Sequence, residues 1–156
     1  EAVVFKFTNF VCEVFNKSRI VINECRLKAI SRNTTLMNFN ATLLHPLNDV
    51  ILEAQIFKRA NGYKPFLYKA RIDCCQFFRK AYHPIVIGIY KTFRNYSNMN
   101  HPCPYSGIIY TKGANLEYGM LPHALPTGQY LLNLTWIHYG TKTLTTNLYF
   151  MFTEDL

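Results

Sequence analysis

The chain has 156 residues, of which 49% are hydrophobic and 17% charged, which excludes a disordered segment and predicts one domain with a sizeable core. Its 12 Phe, 11 Tyr and 1 Trp form a dense aromatic set, and its formal net charge of +8 suits acidic partners without choosing among lipid head groups, glycans and nucleic acid. No apolar run approaches the roughly 20 residues that a membrane span needs.

Strand patterns dominate the first half of the sequence. Alternating or β-branched segments predict strands at residues 3–12, 19–29, 36–44, 50–59 and 66–73. In the third of these, Met37 lies on the face opposite Asn40, so a glycan on Asn40 would require the Met37 face to be buried. Asn61-Gly62, between the last two, is typical of a hairpin turn, which residues 63–65 are expected to lengthen.

One later segment has helical rather than alternating periodicity. Its apolar residues recur at spacings of four, one and three: Ile85, Ile89, Tyr90 and Phe93. Pro84 suits the first turn, and Lys91 and Arg94 complement the helix dipole in the last turns. We therefore predict one inserted amphipathic helix around residues 84–96.

Four more strands are predicted after this helix, at residues 107–112, 115–118, 129–139 and 143–153. Gly140-Thr141 is the expected turn between the last two. Short strands at regular spacing with a single helical insertion predict an all-β fold, a β-sandwich.

Five N-x-S/T sequons favour the secretory route: Asn16, Asn33, Asn40, Asn95 and Asn133. The composition alone would produce about one or two. Asn16, Asn33 and Asn95 fall in predicted turns or at a helix end and are the expected glycan acceptors, whereas Asn40 and Asn133 lie within strands. Because the chain opens at Glu1 without a signal-like segment, we expect a mature form of a secreted, extracellular protein.

Five cysteines point to the same compartment: Cys12, Cys25, Cys74, Cys75 and Cys103. They contain no C-x-x-C pair, so we expect two disulfides and one free thiol rather than a metal site. Cys12 and Cys25 flank a polar turn and would join two consecutive strands, while either Cys74 or Cys75 could return to Cys103. Each closure would stabilise the fold by roughly 3–4 kcal/mol.

No residue pattern indicates catalysis. The histidines are scattered: His45, His83, His101, His123 and His138. The sequence has no G-x-S-x-G elbow, no glycine-rich phosphate loop and no close pair of carboxylates. Its Lys and Arg residues are spread singly, without a nucleic-acid-binding motif. We expect a protein that is not an enzyme, carries no metal or cofactor and does not bind nucleic acid.

The aromatic and aliphatic side chains on inward positions have two interpretations. They either fill a core, which would favour an extracellular protein–protein interaction or co-receptor module, or they line a cavity for an apolar ligand. Alternation and helical spacing select ten candidates for the lining: Phe39, Ile56, Tyr68, Ile85, Ile89, Phe93, Leu134, Trp136, Leu148 and Phe150.

Several sequence blocks occur together in an order typical of one family, at residues 8–12, 25–27, 61–68, 73–75, 97–105 and 125–130. The most specific are Asn-Gly-Tyr-Lys-Pro-Phe-Leu-Tyr and Ser-Asn-x-Asn-His-x-Cys-Pro-Tyr. The chain resembles the large insect family of secreted domains of unknown function that includes the CheB chemosensory proteins. That family is similar to the ML lipid-recognition superfamily of the ganglioside activator, the Niemann-Pick sterol carrier and the endotoxin co-receptor.

This resemblance implies that residues 1–156 form a single ML-like lipid-recognition domain, an immunoglobulin-like sandwich that holds a lipid or glycolipid between its sheets. It also implies a role in pheromone or taste perception. We expect the protein to present this ligand to a receptor or membrane. The implied pairings are Cys12–Cys25 and Cys75–Cys103, with Cys74 a departure from the family, whose members usually carry one cysteine after the Asp.

Overall fold

The computed structural model describes residues 3–32, 34–66, 69–78, 80, 82, 84–115 and 125–154. The strands in these ranges are β1 (Val3–Val14), β2 (Ile20–Ser31), β3 (Thr34–Leu47), β4 (Val50–Arg59), β5 (Tyr63–Pro65), β6 (Ala70–Asp73), β7 (Tyr105–Ala114), β8 (Gly128–His138) and β9 (Thr141–Glu154). The helices are α1 (Cys74–Phe77) and α2 (Pro84–Phe93), and a 3-10 turn over Arg94–Tyr96 continues α2.

The strands form two antiparallel sheets that pack as a sandwich. The larger sheet has the order β1-β9-β8-β4-β5, and β6 also pairs with β4; the smaller has the order β2-β3-β7. The predicted all-β, immunoglobulin-like sandwich with one helix inserted at residues 84–96 is confirmed. Both α-helices lie in the connection between β6 of the larger sheet and β7 of the smaller one.

The strand faces follow the alternation of the sequence. In β4, Val50, Leu52, Ala54 and Ile56 are buried while the intervening residues are partly exposed. In β3, Met37 is buried and Asn40, on the opposite face, is partly exposed. Burying one face of each strand against the other sheet is what fixes this register, because a slip of one residue would turn the apolar set to solvent.

The hairpin between β4 and β5 is tighter than predicted. Asn61 and Gly62 have φ angles of 38° and 88°, left-handed conformations that are typical of tight hairpin turns. Tyr63 pairs directly with Arg59, so residues 63–65 belong to the partner strand instead of lengthening the connection. At the β8–β9 turn, the left-handed residues are Tyr139 and Gly140, one position earlier than predicted.

Two disulfides tie the elements together. Cys12–Cys25 joins β1 of the larger sheet to β2 of the smaller one, and Cys75–Cys103 joins α1 to the segment before β7. These are the two pairings that the family resemblance implied, and Cys74 is free. In the described part of the chain, no helix has both the length and the apolar character needed to cross a membrane.

The five sequons occupy different surroundings. Asn16 lies in the turn between β1 and β2, and Asn95 is exposed in the 3-10 turn after α2. Asn40 and Asn133 are partly exposed within β3 and β8. Asn33 lies outside the described residues.

Candidate functional site

The buried hydrophobic side chains form three clusters. One surrounds Tyr130 and Phe150 between the sheets, and a second surrounds Leu47 and Tyr105. The third packs Ile72 of β6 against the two helices. Phe39 of β3 packs against both of the first two clusters. Between these clusters lies a cavity of about 200 Å³ whose wall takes residues from all three.

The cavity is bounded by both sheets and by the helical segment. The larger sheet contributes inward residues of β8 and β9, the smaller sheet contributes β3 and β7, and the helices close one side. The cavity leaves the side chains of Leu134 and Trp136 less buried than their position in the sheet would suggest. They lie on the inner face of β8, between β4 and β9, where a filled core would bury them completely. Both remain only partly buried, because they border the open space.

Six of the ten predicted lining residues lie on this wall: Phe39, Ile89, Phe93, Leu134, Trp136 and Leu148. Ile56 and Phe150 do not, and for these two the prediction is wrong. They point inward as expected, but both pack into the Tyr130 cluster, where the sheets are in contact. Tyr68 and the side chain of Ile85 lie outside the described part of the structure.

The wall also contains residues that the sequence analysis did not select. Tyr105, Ile109 and Thr111 of β7 face the cavity from the smaller sheet. Their spacing of two or four along a strand is the signal that could have found them. Cys74 and Arg94 are two further additions. Arg94 follows Tyr90 by four positions, so the two lie on the same face of the helical segment.

The polar groups on the wall are mostly satisfied or neutral. The indole nitrogen of Trp136 donates to Thr146 Oγ1 at 3.1 Å, and the Tyr105 hydroxyl donates to the His101 carbonyl at 2.8 Å. Burial, with a smaller contribution from Asp73, raises the pKa of the Cys74 thiol to about 12, so this thiol carries little thiolate at neutral pH. Among the described residues, no three His, Cys, Asp or Glu side chains are placed to hold a metal ion.

His138 also lines the cavity. It is the last residue of β8 and pairs with Val50 of β4. It is 3% exposed, and its Nδ1 has no hydrogen-bond partner within the described ranges. Burial, with a smaller contribution from Arg19, lowers the pKa of His138 to about 4, and Asp49 acts in the opposite direction. The imidazole is therefore neutral at physiological pH, and His138 adds no charge to the wall.

This burial predicts acid sensitivity. Above about pH 7 the folded and unfolded states both hold His138 neutral, but below its ordinary pKa of 6.5 the unfolded state binds a proton first. Stability should therefore fall as the pH drops from about 6.5 towards 4, by roughly 2–3 kcal/mol at pH 4.5. Urea unfolding at pH 7 and pH 4.5 should show a smaller loss in His138→Leu than in wild type. The exposed His45→Leu control should lose as much as wild type; equal losses in all three proteins would contradict the assignment.

Fold and site together define a class of protein: a disulfide-linked, all-β sandwich with an apolar cavity between its sheets. The chain belongs to the family described as "Protein of unknown function (DUF1091)", whose profile matches residues 52–132, just over half of the chain. The matched segment runs from β4 through both helices and β7 into β8, so it includes the helical wall of the cavity. No curated protein matches the chain.

Proposed function

We propose that this protein is a secreted binding protein that holds a lipid or other long-chain apolar molecule between its two sheets and presents it to a receptor or membrane. The apolar cavity of about 200 Å³ carries this proposal. At about 24 cal/mol per Å³, an empty cavity of that size would destabilise the fold by roughly 5 kcal/mol. That is a large fraction of the 5–15 kcal/mol typical of a domain, and an apolar ligand would recover much of it.

The size of the cavity limits the ligand. Protein interiors contain few voids larger than a water molecule, and a dry engineered cavity of about 150 Å³ binds benzene. The cavity of this protein, at about 200 Å³, is about one third larger than that engineered cavity. This favours a single alkyl chain or a small ring system over a ligand with several acyl chains.

Compartment and biological role rest on the sequence. Two disulfides and five sequons support an extracellular location. The sequence blocks at residues 61–68 and 97–105 support a relationship to the CheB chemosensory proteins and the ML superfamily. We infer a single ML-like lipid-recognition domain with a role in chemosensory or pheromone perception.

A cavity-filling substitution tests the binding site. Leu134 faces the cavity from the centre of β8, so Leu134→Phe should place its ring in the open space. We expect at least a tenfold loss of affinity for N-phenylnaphthylamine, an uncharged apolar fluorophore, with an unchanged or higher melting temperature, because filling a void replaces missing contacts. Leu131→Phe is the matched control, since residue 131 lies on the outer face of the same strand.

Fluorescence titration of the three proteins measures these affinities. Lipid extraction and mass spectrometry of wild-type protein purified from a secreting eukaryotic host should also recover an apolar molecule in stoichiometric amount. If wild type takes up no fluorophore and carries no lipid, the binding proposal is wrong. Equal affinities for Leu134→Phe and Leu131→Phe would place the bound fluorophore outside the cavity.

A further inference from the structure

The opening of the cavity is marked by one side chain. Among the described residues that line the wall, Arg94 alone is exposed to solvent; the others are buried or partly buried. A side chain that borders both the cavity and bulk water must lie at the mouth. Ser97 and Thr111 lie beside it on the wall, joined to each other by an isolated β-bridge. We call Arg94, Ser97 and Thr111 the rim.

The rim is polar and positive, whereas the interior is apolar. In the part of the chain that the structure describes, the wall contains no Asp or Glu, and Arg94 is its one charged side chain at neutral pH. Resting on the proposed function, we infer that the ligand is a single-chain amphiphile with an anionic head group, a carboxylate or a phosphate, held at the rim while its apolar chain fills the cavity.

Hydrogen bonds made by Asn98 hold the rim against β7. The Asn98 side-chain amide donates to the Ile108 carbonyl at 2.8 Å, and its oxygen accepts from the Tyr110 amide at 2.8 Å. The Asn98 backbone amide also donates to the Tyr110 carbonyl at 3.2 Å. Asn98 thus fixes the turn after α2 on the edge strand, and with it the position of Arg94. A preorganised site loses less ordering entropy when a ligand binds.

The side-chain chemistry of the rim fits an anion. A guanidinium presents five N–H donors that match a carboxylate or phosphate in a bidentate contact. Arg71 and Arg26 already pair with Glu53 and Glu24, but no carboxylate of the described residues lies within 4.0 Å of Arg94. Ser97 Oγ accepts a hydrogen bond from the Met99 amide at 3.0 Å, which leaves its O–H proton available to a ligand oxygen.

The inference is tested by comparing ligands with different head groups in wild type and in a variant of Arg94. Displacement of N-phenylnaphthylamine by decanoate, decyl phosphate and decanol compares three head groups on one chain. For Arg94→Gln we expect about a tenfold loss of affinity for decanoate and less than a twofold change for decanol, because only the charged head group uses the guanidinium. Arg32→Gln removes the same charge at an exposed position away from the wall and should change neither affinity.

The outcomes separate the head group from the cavity. A tenfold loss that is confined to the anions and to Arg94→Gln supports the inference, and a larger loss for decyl phosphate than for decanoate would identify a phosphate as the preferred group. If decanol and decanoate bind wild type equally and Arg94→Gln changes neither, the inference is wrong while the cavity remains a binding site. If none of the three displaces the fluorophore from wild type, the inference is wrong, whereas the proposed function is decided separately by fluorophore uptake and lipid extraction.

Discussion

Phe150→Ala is expected to lower the free energy of unfolding by about 3–5 kcal/mol, the usual cost of removing a large aromatic side chain from a packed core. Phe150 is 5% exposed and stacks on Tyr130, with ring centroids 5.4 Å apart. It lies in the cluster where the sheets are in contact and does not line the cavity. For a domain of this size, such a loss lowers the melting temperature by roughly 6–20 °C.

Phe93→Ala is the matched substitution on the cavity wall. Phe93 lies at the end of α2, is partly buried, and faces the open space on one side. Because it has fewer packing contacts to lose, we expect less than half of the stability loss of Phe150→Ala. Its affinity for N-phenylnaphthylamine should fall by more than that of Phe150→Ala, since a molecule in the cavity would contact Phe93 directly.

Thermal unfolding and fluorophore titration on both variants measure the two effects separately. Trp136→Ala should lose both stability and affinity, because Trp136 lines the wall and also donates a hydrogen bond to Thr146. If Phe93→Ala unfolds as early as Phe150→Ala and binds the fluorophore like wild type, Phe93 is a packed core residue and the position of the cavity is wrong.

Alternation predicted which way the side chains point, because a strand buried on one face has a fixed period of two. Met37 and Leu134 are inward in the structure as in the sequence pattern. Alternation does not say how far apart the sheets are at each point along a strand. Ile56 and Phe150 are inward as well, but they lie where the other sheet is close, beside Tyr130, and so they are packed.

The separation of the sheets depends on long-range packing that no local pattern encodes. The helices α1 and α2 pack against Ile72 of β6 at one side of the sandwich, and the cavity opens beside them. Arg94 illustrates the same limit: helical spacing places it in the last turns, where it complements the dipole. Its position at the mouth depends on the bonds between Asn98 and β7, contacts that only the folded chain brings together.

Removing either disulfide should also destabilise the fold strongly. Cys75–Cys103 has a sequence separation of 28 and Cys12–Cys25 a separation of 13. Loop entropy predicts losses of about 3.6 and 3 kcal/mol for the double Ala variants, and the two differ little because the entropy grows with the logarithm of loop length. Each loss corresponds to roughly 10 °C in melting temperature.

The two bridges should differ more in their effect on binding than on stability. Cys12–Cys25 joins the edge strands β1 and β2, whereas Cys75–Cys103 fixes α1 next to the start of β7, which forms part of the wall. Without that second link the helical side of the cavity can move relative to β7. We therefore expect Cys75→Ala/Cys103→Ala to lower the affinity for N-phenylnaphthylamine more than Cys12→Ala/Cys25→Ala, in titrations well below both melting temperatures.

Cys74→Ala is the control for the two disulfide variants, because it removes a cysteine side chain without breaking a disulfide. It removes a side chain from the cavity wall without opening a loop, so its stability loss should be small beside that of either double variant. Non-reducing peptide mapping should recover Cys75 linked to Cys103. Native Cys74 should alkylate about a thousandfold more slowly than in denaturant, because a pKa raised from 9.0 to about 12 reduces its thiolate by that factor. A peptide joining Cys74 to Cys103, or a Cys74→Ala variant as unstable as the double variants, would show that Cys74 rather than Cys75 forms the bridge.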